Sequence, residues 1–140
     1  MFDRILVAVD GSQFSDAALV AAAGLAAKTG SQVDVLHVHE HEMPHSKAVH
    51  LADLETSSEA ARVVAEATAK LTAQGVHAQS HLIEADTHDV ARRIIEFADD
   101  NKSDVIIVGR RGLSTLTGML VGSVSNKLVH VAKVPVLVAH

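Results

Sequence analysis

Short and almost unbroken apolar runs alternate with helical segments along this chain, and this alternation restricts its fold more than any other feature. Unbroken apolar runs are typical of strands that are buried on both faces of a parallel sheet. A strand, a helix and another strand in succession indicate a βαβ crossover. The sequence therefore predicts a single α/β domain, residues 1–140, with an open five-stranded parallel sheet and helices on both faces. The predicted strands are residues 5–9, 32–38, 77–83, 104–108 and 135–139.

Capping and stop signals place helices between these strands. Thr56 and Glu59 have the spacing of a capping box, while Gly30 and Gly75 are placed to end the first two helices. A polar loop is predicted over residues 39–55, ahead of the second helix. The candidate caps are Ser12 or Ser15 for a helix over 14–28, Thr56 for one that ends near 74, Asp86 or Thr87 for one with apolar positions from 90 to 98, and Ser123 for one that ends near 132.

The composition excludes several classes of function. Of the 140 residues, 48% are hydrophobic, which suits a globular domain with a buried core. There is no cysteine, so disulfides, thiol catalysis and cysteine metal sites are excluded, and a reducing cytoplasm is the expected location. Because the net charge is −5 and there is no Trp or Tyr, neither nucleic acid nor a membrane is an expected partner.

Polar residues that follow the predicted strands indicate where a ligand would bind. In open α/β sheets, ligands lie beyond the carboxyl ends of the strands, at the point where the strand order reverses. Two orders suit this chain, 2-1-3-4-5 and 3-2-1-4-5, and the second puts that point between strands one and four. The residues concerned are Asp10-Gly11-Ser12, Val38 and the loop from Gly109. Asp10 is either a turn or helix-capping aspartate or a contact for a ligand or Mg²⁺.

A glycine-bearing stretch after the fourth strand is the stronger signal. Gly109 and Gly112 are followed by nine residues and then by Gly122-Ser123. Because glycine has no Cβ, backbone N–H groups can approach an anion there, and a helix that starts at Ser123 favours phosphate at its N-terminus. The alternative is structural, with Gly109 in a tight turn and Ser123 only as a cap. The pattern predicts a phosphate cradle, with that alternative open.

These motifs resemble those of the universal stress protein family over the whole chain. The family's nucleotide signature, G-x-x-G-x9-G-[ST], is complete at Gly109, Gly112, Gly122 and Ser123. The flanking framework is also typical of the family: ILVAVDGS at 5–12, LHV at 36–38, DVIIVG at 104–109 and VPVLV at 134–138. On these residues the chain is identified as a member of the ATP-binding subgroup.

The resemblance implies a fold, a ligand and a set of contacts. The implied fold is Rossmann-like, of the adenine nucleotide alpha hydrolase type, with strand order 3-2-1-4-5 and a homodimer paired through the last strands. The implied ligand is ATP, with Mg²⁺ on its phosphates, across the carboxyl ends of strands one and four. Ala8 and Asp10 would lie near the nucleoside, Asp10 beside the ribose or the metal, and Val38 would contact the adenine. The ribose and phosphates would be held by Gly109, Gly112, Gly122, Ser123, the backbone of Val124, and Ser125.

Two arginines occupy the variable positions of the glycine signature. Arg110 and Arg111 lie between its first two glycines. Either side chain could close over the phosphates with a charge-assisted hydrogen bond. The alternative is that the pair is solvated or lies in an interface.

Ten histidines are many for a chain of this length. His37, His39 and His41 alternate and would share one face of a strand, where imidazoles can bind a transition metal. Because the predicted loop begins near His39, a solvated polar loop is the favoured interpretation. His130 lies on the last helix and is expected to be a packing residue.

The motifs that indicate rapid turnover are absent. The chain lacks the P-loop pattern, the G-x-S-x-G nucleophile elbow and a G-x-G-x-x-G turn after the first strand. No residue stands out as a general base. We therefore expect an ATP-binding protein with a regulatory or stress-response role and at most slow hydrolysis or autophosphorylation. The alternatives are a dimeric interaction module whose pocket is vestigial or takes AMP, and a slow ATPase.

Overall fold

Five parallel strands form one sheet in the order β3-β2-β1-β4-β5 in a computed structural model, which describes residues 2–41, 56–86, 88–110 and 123–140. The predicted order 3-2-1-4-5 is confirmed. The strands are β1 (Arg4–Val9), β2 (Gln32–His41), β3 (Ala78–Asp86), β4 (Val105–Gly109) and β5 (Val136–Ala139). The helices are α1 (Gln13–Thr29), α2 (Ser57–Thr72), α3 (Val90–Asp100) and α4 (Ser123–Val131). None of these helices is long and apolar enough to cross a membrane, within the part of the chain described.

The core is split into two halves by the sheet. Successive side chains of a strand point to opposite faces, so both faces of a central strand can be buried. On one face, Val7 and Val35 are fully buried under α1 and α2. On the other face, Leu6 and Leu36 are fully buried under α3 and α4. This double cover explains why the central strands are unbroken apolar runs in the sequence.

The ends of α1 and α2 follow the predicted signals. Thr56 Oγ1 accepts the N–H of Glu59 (3.2 Å), and Glu59 Oε2 accepts the N–H of Thr56 (2.8 Å). The hydrogen bond from the Thr56 backbone is the largest cause that holds the pKa of Glu59 below its ordinary value. Gly30 ends α1 with a φ of 72°, in the left-handed region that favours glycine. The predicted capping box and the predicted stop are both confirmed.

The start of α3 differs from the prediction. The helix begins at Val90 behind Asp89, so a cap at Asp86 is wrong, and Thr87 lies outside the described residues. Asp86 ends β3 instead, and its carbonyl oxygen accepts the N–H of Asp89 in a turn (2.8 Å). The side chain of Asp89 pairs with Arg92 (3.0 Å) and makes no capping bond.

Strand β2 continues past Val38 to His41, so the prediction that a loop begins near His39 is wrong. Strand β3 is longer as well, and residues 39 and 41 of β2 pair with residues 84 and 86 of β3. Pairing between β2 and β3 holds these polar residues in strand conformation, which the hydropathy of the sequence alone did not indicate. The side chain of His39 is buried on this strand. His130 is exposed on α4, so its predicted packing role is also wrong.

A buried charge cluster cross-links the first three strands in their amino-terminal half. Asp34 is fully buried, and its Oδ2 accepts hydrogen bonds from Arg4 Nη2 (2.8 Å) and Nε (3.3 Å). Its Oδ1 accepts a hydrogen bond from His81 Nε2 (2.9 Å). The ring of Phe97 on α3 packs edge-to-face on that imidazole, with 4.8 Å between the ring centroids. Removing the carboxylate would leave two donors without their shared acceptor.

Candidate functional site

The strand order reverses between β1 and β4, and this boundary defines the candidate site. Helix α1 follows β1 and covers one face, whereas α4 follows β4 and covers the other. The two chain segments therefore diverge and leave room beyond their carboxyl ends. Ala8 pairs with Val108 across the boundary. The predicted residues Ala8, Asp10, Val38 and Gly109 lie at this same edge of the sheet.

Asp10 is held in the turn between β1 and α1 by three hydrogen bonds. Its Oδ1 accepts the N–H of Ser12 (2.9 Å) and the hydroxyl of Ser15 (2.7 Å). Its own N–H donates to Ser15 Oγ (2.9 Å). Gly11 provides the left-handed residue of the turn, with a φ of 81°. Asp10 is thus a turn aspartate, as one of the two interpretations held, yet Oδ2 has no hydrogen-bond partner among the described residues.

Gly109 is needed for packing at the end of β4. A Cβ at this position would lie 2.4 Å from the carbonyl oxygen of Phe14 and 2.6 Å from its carbonyl carbon. Both atoms belong to the backbone of α1's first turn, so they cannot move aside as a flexible side chain can. The missing Cβ therefore lets α1 begin directly against β4. This is a close approach of two protein segments, and it accounts for the first glycine of the signature without a ligand.

The first turn of α4 is tied to the same residue. Ser125 is buried, and its hydroxyl donates to the carbonyl oxygen of Gly109 (2.8 Å). Ser123, the predicted cap, is exposed and already belongs to the described helix, while Val124 is half-buried. The hydrogen bond from Ser125 brings the described start of α4 beside the end of β4.

Arg110 directly follows Gly109, which ends β4 and is the first glycine of the signature. Its N–H donates to the carbonyl oxygen of Ala139 at the end of β5 (2.9 Å), which fixes its backbone. The predicted site residues Arg111, Gly112 and Gly122 lie outside the described residues. The described part of the predicted cradle is therefore its two ends, at Gly109–Arg110 and at the start of α4.

Two buried side-chain atoms at this edge have no hydrogen-bond partner among the described residues, namely Ser12 Oγ and Arg110 Nε. A third such atom, Ser103 Oγ, lies before β4 at the opposite edge. An unsatisfied buried polar group costs about 1–3 kcal/mol, so it is rare unless a ligand or water completes it. A hydroxyl and a guanidinium suit phosphate oxygens, and the carboxylate of Asp10 suits hydroxyl groups or hydrated Mg²⁺. The residues present therefore fit a nucleotide with its metal.

His37 lies beside the site and was not predicted as part of it. The residue is buried, and its Nδ1 donates to the carbonyl oxygen of Val9 (2.7 Å), which joins the ends of β1 and β2 just before Asp10. The signal in the sequence was a polar residue inside an apolar run. No group of three or more His, Asp or Glu side chains could hold a metal ion within the described ranges, which exclude the side chain of His41.

Comparison with known proteins agrees with this geometry. The sequence profile of the universal stress protein family matches residues 1–140. The universal stress protein YxiE of Bacillus subtilis is 31% identical over 149 residues, which cover 99% of each chain. A solved structure of a universal stress protein family member from Burkholderia pseudomallei is 31% identical, with a TM-score of 0.75 over 98% of this chain and 95% of that one.

A second solved structure, a universal stress protein in complex with cAMP, is 26% identical. Its TM-score is 0.73, and the match covers 99% of this chain and 98% of that one. Sequence profile, overall identity and fold thus agree over the full length. The chain belongs to the universal stress protein family.

Proposed function

We propose that this chain binds ATP beyond the carboxyl ends of β1 and β4 and acts as a regulatory protein in the stress response. The observation that carries the proposal is the pair of buried polar atoms, Ser12 Oγ and Arg110 Nε, that have no partner among the described residues. They lie on the two sides of the boundary where ligands of such sheets bind. Family membership and the relative in complex with cAMP, itself an adenine nucleotide, support the ligand class.

The two sides of the boundary supply different contacts in this proposal. On the β1 side, Asp10 Oδ2 accepts an O–H of the ribose or of Mg²⁺-bound water, while Ala8 and Val38 provide apolar surface for the nucleoside. On the β4 side, backbone N–H groups hold the phosphates, since glycine lets the main chain approach an anion closely. The proposed contacts on that side are Gly109, Arg110, Arg111, Gly112, Gly122, Ser123, Val124 and Ser125.

We propose binding rather than turnover as the function. Asp10 Oδ1 and the Ser125 hydroxyl are both engaged in hydrogen bonds within the protein. His37 Nδ1 bonds to the carbonyl oxygen of Val9, so that nitrogen is not free to accept a proton from water. A general base needs a free acceptor within reach of the attacking water. The free acceptor on the β1 side is Asp10 Oδ2, and this proposal assigns that oxygen to the ribose or to Mg²⁺-bound water rather than to an attacking water. We therefore expect at most slow hydrolysis, in a protein of the cytoplasm that retains its nucleotide.

Asp10→Asn tests the β1 side of the site. The amide oxygen should take the place of Oδ1, which accepts two hydrogen bonds, and this turns the NH₂ group outward. A donor then replaces the acceptor that the ligand needs. We expect wild type to bind ATP with a micromolar Kd, on the order of −8 kcal/mol, and Asp10→Asn to bind at least about tenfold more weakly. Isothermal titration of nucleotide-stripped protein measures both.

Asp16→Asn is the matched control, because Asp16 is an exposed acid in the first turn of α1, the helix that follows Asp10. Its affinity should equal that of wild type. Absence of heat with wild-type protein would contradict the proposal, and so would equal losses in the two variants.

We also propose a homodimer that pairs through β5. This strand is an edge of the sheet, and Leu137 on it is 39% exposed. Val129 and Val131 of the adjacent α4 are 52% and 56% exposed. An open strand edge with exposed apolar side chains favours pairing with another strand.

Leu137→Lys should convert the dimer to a monomer, because it puts a charge into the paired edge. Val20→Lys is the control, since Val20 is 71% exposed on α1 and does not belong to the strand that pairs. Light scattering after size-exclusion chromatography measures the mass. A monomeric wild type, or a Leu137→Lys variant that stays dimeric, is the result that refutes this interface.

A further inference from the structure

We infer that Ser15 is a positioning residue that determines which oxygen of Asp10 faces the ligand, an inference that rests on the proposed nucleotide site. Ser15 lies in the first turn of α1, five residues after Asp10, and is only 6% exposed. Its hydroxyl does not cap the helix, whose N-cap is Ser12. The side chain points back to the preceding turn, where both of its hydrogen bonds are made to Asp10.

These two hydrogen bonds fix the direction of the hydroxyl. A serine hydroxyl has one hydrogen to donate. Ser15 donates it to Asp10 Oδ1 (2.7 Å) and accepts the N–H of Asp10 (2.9 Å). The backbone and the carboxylate of Asp10 are thus held by the same atom. The N–H of Ser15 donates to the carbonyl oxygen of Ser12 (3.1 Å), which holds Ser15 itself against the turn.

The bonds also divide the carboxylate into two unlike oxygens. Oδ1 accepts a second hydrogen bond, from the N–H of Ser12 (2.9 Å). Two donors therefore fill Oδ1, whereas Oδ2 has no partner among the described residues. Asp10 thereby presents a single acceptor oxygen at the end of β1. The chemistry that fits one carboxylate oxygen is one O–H group, from a ribose hydroxyl or from water on Mg²⁺.

Ser15→Ala removes one of the two anchors of Oδ1, so the carboxylate can rotate away from the ligand. We expect the affinity for ATP to fall about five- to tenfold, which corresponds to the net contribution of one hydrogen bond. In an Asp10→Asn background the same change should cause no further loss, because the asparagine already presents its NH₂ group to the ligand and leaves no acceptor for Ser15 to orient. Ser15 acts only through residue 10 in this account, so the two effects must not add.

A double-mutant cycle by isothermal titration with ATP measures this coupling. It uses wild type, Ser15→Ala, Asp10→Asn and the double variant. Ser31→Ala is the control, because Ser31 is a buried serine that bonds to the carbonyl oxygen of Phe2 at the opposite edge of the sheet. That variant should bind ATP as wild type does. A serine that only stabilises the fold would weaken binding by the same factor in both backgrounds, and this result overturns the inference.

Two further titrations identify the O–H group that Asp10 accepts. If it is a ribose hydroxyl, the loss caused by Ser15→Ala should disappear with 2′,3′-dideoxy-ATP. If it is metal-bound water, the loss should disappear when Mg²⁺ is removed. A loss that persists under both conditions overturns the positioning role while the proposed function stands. Failure of wild-type protein to bind ATP refutes the proposed function, and the inference falls with it.

Discussion

Gly109→Ala is expected to lower the free energy of unfolding by about 1–3 kcal/mol, because it overpacks the junction of β4 and α1. The new Cβ would lie 2.4 Å from the carbonyl oxygen of Phe14, a distance that real Cβ contacts do not show. Either α1 must move away from β4 or the end of β4 must bend. The turn that holds Asp10 belongs to the start of α1. ATP binding should therefore weaken together with stability.

Gly24→Ala provides the matched control within α1. Nothing lies within 4 Å of a Cβ at Gly24, which is an exposed position in the helix interior. The same change should raise stability there by about 0.5–1 kcal/mol, because alanine favours the helix over glycine. Chemical denaturation measures both variants. If Gly109→Ala were as stable as wild type, the close approach of α1 to β4 would be wrong.

Asp34→Ala is expected to cost about 3–5 kcal/mol of stability, the largest effect of any substitution considered for this chain. The fully buried carboxylate accepts hydrogen bonds from both Arg4 and His81, at 2.8 Å and 2.9 Å at the shortest. Without it, a guanidinium and an imidazole that are both partly buried lose their acceptor. Because the Arg4 side chain is 35% exposed and can turn to water, we expect the lower end of this range.

Asp16→Ala tests whether the loss of stability depends on the burial of the ion pair or only on the distance between its charges. Asp16 pairs with Lys70 at 2.8 Å, the same separation as Arg4 and Asp34, but both members of this pair are exposed. Exposed pairs contribute about 0–1 kcal/mol, so this variant should be close to wild type. Denaturant titrations of the two variants should therefore differ by more than about 2 kcal/mol. Equal losses of stability would mean that the contribution of Asp34 does not come from its buried hydrogen bonds to Arg4 and His81.

The strands were predictable because a strand covered on both faces has to be apolar at every position. The strand order was not, since two orders fitted the pattern and only the family resemblance selected one. The full length of β2 was missed for a related reason. Residues 39 and 41 are polar, and they continue the strand because β3 continues beside them. A neighbour that lies about 45 residues away along the chain leaves no local signal.

The place of the candidate site was predictable from the sequence, but the roles of individual residues in it were less so. Gly109 was predicted from a pattern that favours approach of an anion, while the structure brings the backbone of Phe14 against it. Both uses require the absence of a Cβ, so the sequence cannot separate them. Ser15 was expected as a possible cap, yet its hydroxyl bonds to Asp10. A serine near a helix start suits either partner, and only the conformation of the turn decides.

The most direct test of the nucleotide site is a crystal structure of this protein grown with excess ATP and Mg²⁺. The account predicts the nucleotide beyond the carboxyl ends of β1 and β4, with one oxygen of Asp10, Oδ2, turned toward it and Oδ1 still bonded to Ser12 and Ser15. A structure in which side chains fill that edge of the sheet, or in which ATP binds elsewhere, would contradict it.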